Sequence, residues 1–393
     1  MQPEQDIAAS KIEFGNKHPK RISNINITRV AALPHEERIF SGWGGVQEGE
    51  TGGVVPKSHR NASNISCASG NYISLATCLY EATVRDTLAN NTFIFIMMAN
   101  RAFLPFIQNW LCNTADMAGV HMRTLILFSD DAGLEMIKLS PFDVMSSGVN
   151  SHLPTELNAN FEYNTFGYWR LVQLRVQVIV NLTRAGIHFL LFEPDALWVQ
   201  NPLLDPALFT DADLIGFDDN KGVPGFGWLR VRPNARVLLL FTEMERTFSV
   251  QMPHGSPPPN SVLAIQGEQD ILHILIQTRA NKAYKDLTFQ MLSQTKYSSG
   301  KWYDGGRGGD GIVERKACKA DGMPFVINNN WIVGNVPKII RAKRWGHWFV
   351  QNELAGSCDN QTQLQRTFHQ MLNTMHTMRP PYGDPLSTEC PKC

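Results

Sequence analysis

Two carboxylates one residue apart stand at the end of an apolar run. They are Glu193 and Asp195, within Ile187–Pro202, which reads IHFLLFEPDALWVQNP. At this spacing a local bend can turn both side chains toward one hard cation, and oxygen donors suit Mn²⁺ or Mg²⁺. From spacing alone the pair would serve equally to solubilise the end of a strand. The preceding run is too short to span a membrane and follows Gly186, so it reads as a buried strand. Strands of that kind belong to parallel sheets covered on both faces. Open sheets of this class bind ligands outside the carboxyl ends of their strands, where Glu193 and Asp195 fall.

A second pair, Asp211 and Asp213, has the same spacing. It precedes the strand predicted at Leu214–Phe217 and so lies at the opposite, amino end, where helix-capping or solvated roles are expected. Asp218 and Asp219 leave that strand at the ligand-facing end.

The elements that must hold these groups follow from periodicity. Ile73, Leu79, Tyr80, Val84 and Leu88 form one helical stripe. Phe93–Met98 and Arg123–Phe128 are predicted strands, joined by a helix over Phe103–Ala118. That β-α-β unit implies a parallel pair with a right-handed crossover. Phe166–Ala185 is a long predicted helix with Gly186 as its C-cap. Gly227–Arg232 alternates like an antiparallel strand, and Pro233–Phe248 reads as a helix with Pro at its start. Gln251–Asn260 is a loop, Glu268–Arg279 a helix, and Ser298–Gly311 a glycine-dense loop. Phe325–Ile327 is a last short strand leading into Asn328-Asn329-Asn330-Trp331, and a further helix is expected over Leu364–Met378. The alternation of strands and helices predicts an open α/β sheet.

The 393 residues carry a formal net charge of zero, so nothing argues for nucleic acid as a partner. Arg341–Arg344 reads as a solvated edge. No stretch reaches the ~18 apolar residues of a membrane span, and MQPEQDIAAS lacks the basic start and apolar core of a signal peptide. Asn-x-Ser/Thr sequons begin at Asn26, Asn61, Asn64, Asn90, Asn181 and Asn360, and seven cysteines allow up to three disulfides. Together these point to a lumenal or secreted protein, the alternative being a cytosolic protein with buried thiols. Cys390 and Cys393 have CxxC spacing without the second pair or nearby His that zinc needs, so disulfides are expected there.

The ordered blocks IHFLLFEPDALWVQNPL, DLIGFDDN, GFGWLRVRPN, GEQDILHILI and INNNWIVGNVPK, preceded by FIFIMMANRAFLPFIQNWL and RTLILFSDD, resemble the nucleotide-diphospho-sugar transferase family. The likeness runs from about Ala82 to Trp348. It is to GT-A glycosyltransferases, and most of all to the retaining branch that includes plant cell-wall xylosyl- and arabinosyltransferases. The resemblance implies a Rossmann-like, mostly parallel open sheet with helices on both faces. It places a GT-A domain over 71–350, while the polar, Gly-, Ser- and Asn-rich composition of 1–70 reads as a stem or tail and the polar, cysteine-bearing 351–393 as a disulfide-tied extension.

Carried over residue by residue, the resemblance makes Asp195 the main Mn²⁺ ligand (Mg²⁺ being possible), with Glu193 assisting. Asn328 stands where the family usually has a His that completes the metal site. Gly334 and Lys338 fall where the diphosphate is met, and Arg175 where a basic residue faces the nucleotide pocket. Asn100 and Asp130 would contact base and ribose, and Asp218 could reach the ligand. Glu268 and Gln269 match an acid-Gln pair beside the anomeric carbon. The implied activity is metal-dependent transfer of a sugar, with retention, from a UDP-sugar to a hydroxyl of a glycan or glycoprotein, in the secretory lumen and specifically the Golgi, with any anchor segment absent from this chain. Two departures bear on it: Glu for the first Asp, and Asn328 for His. They motivate an alternative, a catalytically impaired domain that binds a glycan or partner. A metal-dependent hydrolase would need more His and Asp at strand ends than the chain offers. Without the motif, Lys338 reads as a surface lysine, Arg175 as a structural ion pair, Gln269 as solvated, and Trp198 and Trp331 as core.

Overall fold

The apolar runs become the central strands of one sheet. A computed structural model describes residues 70–87, 92–138, 144–149, 163–218, 222–253, 257–303 and 324–352, with Cys67, Phe142, Phe161, Gly255, Ser357 and Cys358. Along the chain the strands are β1 (Ile94–Ala99), β2 (Thr124–Phe128), β3 (Met145–Gly148), β4 (Phe189–Phe192), β5 (Leu197–Trp198) and β6 (Leu214–Asp218). They continue with β7 (Pro224–Val231), β8 (Phe289–Leu292), β9 (Tyr297–Ser298), β10 (Val326–Ile327), β11 (Val350–Asn352) and β12 (Ser357–Cys358). The α-helices are α1 (Tyr72–Thr87), α2 (Leu104–Thr114), α3 (Asp131–Lys138), α4 (Phe166–Arg184), α5 (Ala235–Gln251), α6 (Glu268–Gln277) and α7 (Asn335–Arg344).

The main sheet runs β3-β2-β1-β4-β7-β6-β8. β1 is parallel to β2 and β4, β2 to β3, and β6 to β8, whereas β7 runs antiparallel to β4 and β6. The expected open, mostly parallel α/β sheet is therefore present. Because β7 reverses between them, β4 and β6 point the same way. The exit of β4, with Glu193, shares an edge with Asp218. Asp211 and Asp213 lie at the other end. There Asp213 accepts the Thr288 amide at 2.9 Å and pairs with Arg236 at 3.2 Å, while Asp211 pairs with Arg232.

Alternate side chains of each central strand enter opposite cores. Ile94 and Ile96 of β1, with Phe189 and Leu191 of β4, pack under α4, α5 and α6. Phe95, Met97, Leu190 and Phe192 pack on the other face with Ile107, Trp110 and Leu111 of α2. Each such side chain contributes roughly 1.5–3 kcal/mol when fully buried, which fixes the register that places the strand exits. Helix α4 stops at Gly186, whose φ of 74° suits glycine. The Ile187 amide then bonds back to the Leu182 carbonyl at 3.1 Å, and the chain enters β4 at once.

Several boundaries differ from the sequence reading. Asn234 caps α5 through the Val237 amide at 3.1 Å, so Pro233 precedes the cap instead of opening the helix. β3 was not expected: its MSSG carries no apolar alternation, and it lies at the sheet edge beside β2. Helix α3 and the small sheet β5-β10-β9 were not expected either. Disulfides join Cys67 to Cys78 and Cys112 to Cys358. The second closes a loop of 246 residues, worth roughly 5 kcal/mol if chain entropy alone counted. The Asn181 sequon lies on α4, and its amide already donates to the Tyr72 hydroxyl at 2.9 Å. Among the described residues no helix is long and apolar enough to cross a membrane. The stem over 1–70 (Cys67 and Gly70 apart), the loop from 304 onward, the helix over 364–378 and the Cys390/Cys393 pair lie outside the described residues.

Candidate active site

Three elements deliver the acidic cluster. At the exit of β4 the Glu193 amide donates to the Gly227 carbonyl of β7 at 3.2 Å, fixing the turn that carries Asp195. The chain continues into β5, which pairs antiparallel with β10 through Leu197↔Ile327 and Trp198↔Val326. That pairing places the next residue, Asn328, against the turn: its Nδ2 donates to Glu193 Oε2 at 3.3 Å, and its amide donates to the Ser298 carbonyl at 2.8 Å. Close packing here requires Gly227. A Cβ on it would lie 2.9 Å from Glu193 Oε2 and closer still to Asn328 Nδ2.

Helix α7 brings the cation. Gly334, with φ 87°, turns the chain into the helix, and Lys338 on its first turns places Nζ 2.5 Å from Asp195 Oδ2. Burial opposes the lysine's charge, but Asp195 and Glu193 outweigh it and hold the Lys338 pKa above the ordinary lysine value. Lys338 is therefore a largely covered partner of Asp195, with 19% of its side chain exposed, and not the surface lysine of its isolated reading. The backbone before α7 is locked by Arg341, which donates to Asn329 Oδ1 at 2.7 Å and to the Asn330 carbonyl at 2.6 Å. Arg341 is buried, which corrects its reading as part of a solvated edge.

Arg175 of α4 links the two acidic positions. Its Nη2 donates to Glu268 Oε1, and its Nη1 lies 3.6 Å from Glu193 Oε1. Glu268 is the first residue of α6, where a carboxylate also meets the positive end of the helix. Gln269 follows, with both ends of its amide on β7: Oε1 accepts the Phe226 amide at 2.9 Å, and Nε2 faces the Pro224 carbonyl at 3.4 Å. Gln269 is thus held on the sheet, unlike the solvated side chain of its isolated reading. Tyr168, about two helical turns before Arg175 on α4, feels the same field. Burial first, and Glu193 with it, raise its pKa to about 12 against the opposing pull of Arg175.

The remaining expected site residues stand at the same sheet edge with their own bonds. Asn100 is fully buried and accepts the Ala102 amide at 3.0 Å. Asp130 accepts the Arg101 and Gly133 amides, each at 2.7 Å, and so ties the exits of β1 and β2 together. Asn335 Nδ2 donates to the Ala102 carbonyl at 2.9 Å, drawing the start of α7 and Gly334 toward that corner. Asp218 accepts the Gly222 amide at 3.4 Å. Direct contacts thus form two sets, Asp195 with Lys338 and Glu193 with Asn328, Arg175 and Glu268, which the turn from Glu193 to Asp195 brings side by side, while Asn100, Asp130 and Asp218 hold neighbouring backbone.

Two buried oxygens in the cluster lack a donor, Asp195 Oδ1 and Asn328 Oδ1. A buried acceptor without a partner is costly, and a cation held by oxygen atoms would relieve both. The donor set of two carboxylates and an amide oxygen suits Mn²⁺ or Mg²⁺. Among the described residues no group of three His, Cys, Asp or Glu side chains comes together for a metal, so a cation here would need the Asn328 amide oxygen beside the two carboxylates. The sequence reading missed Gly227 and Arg341. A glycine inside an otherwise bulky strand, as in GFGWLRV, was the available signal for the first; the basic run around Arg341 offered none. Of the two tryptophans read as core, Trp198 is buried, but Trp331 is half exposed.

The family model for nucleotide-diphospho-sugar transferases matches residues 119–341, more than half of the chain. Two Arabidopsis thaliana proteins, UDP-D-xylose:L-fucose alpha-1,3-D-xylosyltransferase 1 and a second protein named as the same transferase, are each 20% identical over 284 residues. The match covers 67% of this chain, with 73% of the first and 71% of the second. Among solved structures, galactosyltransferase LgtC with donor and acceptor sugar analogs aligns at 12% identity and TM-score 0.40, covering 68% of this chain and 97% of that one. Mouse xyloside xylosyltransferase 1 aligns at 12% identity and TM-score 0.36, covering 61% and 98%. The chain belongs to the nucleotide-diphospho-sugar transferase family and is a nucleotide-sugar-dependent glycosyltransferase.

Proposed function

We propose that this glycosyltransferase uses a UDP-sugar, UDP-xylose first among candidates, and transfers the sugar with retention to a hydroxyl of a glycan or glycoprotein. The observation that carries the reading is the pair of donorless buried oxygens, Asp195 Oδ1 and Asn328 Oδ1, beside the Lys338 ammonium. Acceptor oxygens next to a largely covered lysine would suit a divalent cation and a diphosphate. Asp195, Glu193 and Asn328 would hold Mn²⁺ or Mg²⁺, which supplies charge compensation for the diphosphate. Lys338, released from Asp195, would meet the phosphate as a point charge. Arg175 keeps Glu193 and Glu268 in place from the opposite side.

In the transfer, the bond between the anomeric carbon and the diphosphate oxygen breaks, and UDP leaves with the electron pair. The acceptor hydroxyl oxygen forms the new glycosidic bond on the same face and gives its proton to the departing diphosphate. Glu268 is committed to Arg175 and Gln269 to β7, so neither is placed as a mobile nucleophile. They serve as a fixed polar wall that supports the sugar as charge develops. The xylose donor is suggested by the names of the two Arabidopsis relatives. The disulfides support a secretory-lumen location, with the Golgi as the proposed compartment.

A second reading, a silent scaffold, draws on one contact: Lys338 already neutralises Asp195. Screening UDP-sugars for Mn²⁺-dependent release of UDP without acceptor separates the two. Turnover of at least one donor supports the enzyme. Calorimetry showing no metal-dependent heat with UDP, together with no turnover, supports the scaffold.

A further inference from the structure

Trp331 combines two features that folding alone disfavours. It is 53% exposed, and its φ of 61° puts a bulky side chain in the left-handed region. A tryptophan with a large exposed apolar face, held in a strained conformation, marks a contact surface. The loop that holds it is rigidly bonded. Asn329 Nδ2 donates to the Lys338 carbonyl at 3.2 Å, Arg341 clamps Asn329 and Asn330, and the Gly300 amide donates to Asn330 Oδ1 at 2.5 Å. Lys301 Nζ stands 5.0 Å from the centre of the Trp331 ring, which orients the indole without burying it.

Position gives the ring its purpose. Trp331 follows Asn328 by three residues, and three residues of chain span at most about 11 Å. The Trp331 backbone therefore stands within the length of a short oligosaccharide from Asn328. We infer that Trp331 is the stacking platform of an acceptor subsite, its indole taking the C–H face of a pyranose ring, with Lys301 beside it to meet a ring hydroxyl. This rests on the UDP-sugar reading and adds to it the place where the acceptor docks. Aromatic side chains contribute large, rigid, amphipathic contact area of the kind such a ring needs.

The test uses the full chain with UDP and Mn²⁺ present. Saturation-transfer NMR is recorded with a panel of methyl glycosides of L-fucose, D-xylose and D-galactose, alongside calorimetry with UDP. At least one glycoside is expected to show binding to the wild type. Trp331→Ala should weaken it by about tenfold, and Trp331→Leu, which keeps apolar bulk without the aromatic face, should do the same. UDP affinity should change less than twofold. The inference is overturned if either variant keeps the glycoside affinity, if UDP binding falls in parallel, or if no glycoside binds a wild type that does bind UDP. A wild type that binds neither UDP nor glycoside overturns the donor reading itself.

Discussion

The Lys338 ammonium lies 2.5 Å from Asp195 Oδ2, with the carboxylate almost wholly removed from solvent. The lysine thus occupies one oxygen of the carboxylate expected to bind the cation. On the proposed reading, a cation at Asp195 would have to compete with this lysine until a diphosphate drew it away. Lys338→Met should therefore bind Mn²⁺ several-fold more tightly than the wild type without nucleotide, while its UDP affinity falls by about tenfold. Calorimetry of Mn²⁺ with and without UDP reads both effects, and weaker Mn²⁺ binding by the variant would refute the competition.

Gly227→Ala tests the closeness of β7 to the cluster. The added methyl has no room between Glu193 and Asn328. It should cost about 1–3 kcal/mol of stability and reduce donor hydrolysis more than tenfold. Chemical denaturation and UDP release give the two numbers, and wild-type values for both would show that the strand yields.

Arg175→Met removes the shared partner of Glu193 and Glu268. Only Glu268 of the three is buried, and Glu193 keeps 32% of its side chain exposed, so loss of the shared cation should cost on the order of 1–3 kcal/mol, less than a fully buried pair. A large fall in the denaturation midpoint is expected, partly restored by adding Glu268→Gln to the variant. No restoration would mean that Arg175 acts through packing.

Protons should destabilise the fold from neutral pH downward. Burial lowers the pKa of His121 and His188 to about 4 and of His347 to about 3, in each case below the unfolded value near 6.5. Groups kept neutral in the fold bind protons first in the unfolded chain. Their stabilisation is complete above about pH 6.5 and declines as pH falls toward the folded values. At pH 5.5 each should have cost on the order of 1 kcal/mol. Denaturation midpoints at pH 7.5 and 5.5 measure this, and His347→Gln should flatten the profile if the variant folds.

Much of the architecture was legible because burial is written in composition. FLLF in β4 and TLILF in β2 are uninterrupted apolar runs, and their direction separated Glu193 and Asp195 from Asp211 and Asp213 before any coordinates. What the sequence concealed was tertiary. β3 is MSSG, a strand only because β2 offers it an edge. The union of Asn328 with Glu193 depends on a two-residue pairing between segments far apart in sequence, β5 and β10. Arg341 looked like a solvated charge because nothing local reveals that its acceptors are Asn329 and the Asn330 carbonyl. Trp331 carries the composition of a core residue, and only its backbone angle and exposure show otherwise.

The most direct measurement is Mn²⁺-dependent release of UDP from UDP-xylose and other UDP-sugars by the wild type and Asp195→Asn. The substitution keeps the shape of the side chain while removing the charge that pairs with Lys338 and that is proposed to hold the cation. The wild type should release UDP only with Mn²⁺ or Mg²⁺, and Asp195→Asn should lose at least a hundredfold, about 2.7 kcal/mol in transition-state terms. Equal, metal-independent rates for the two proteins would contradict the site built on Glu193, Asp195 and Asn328.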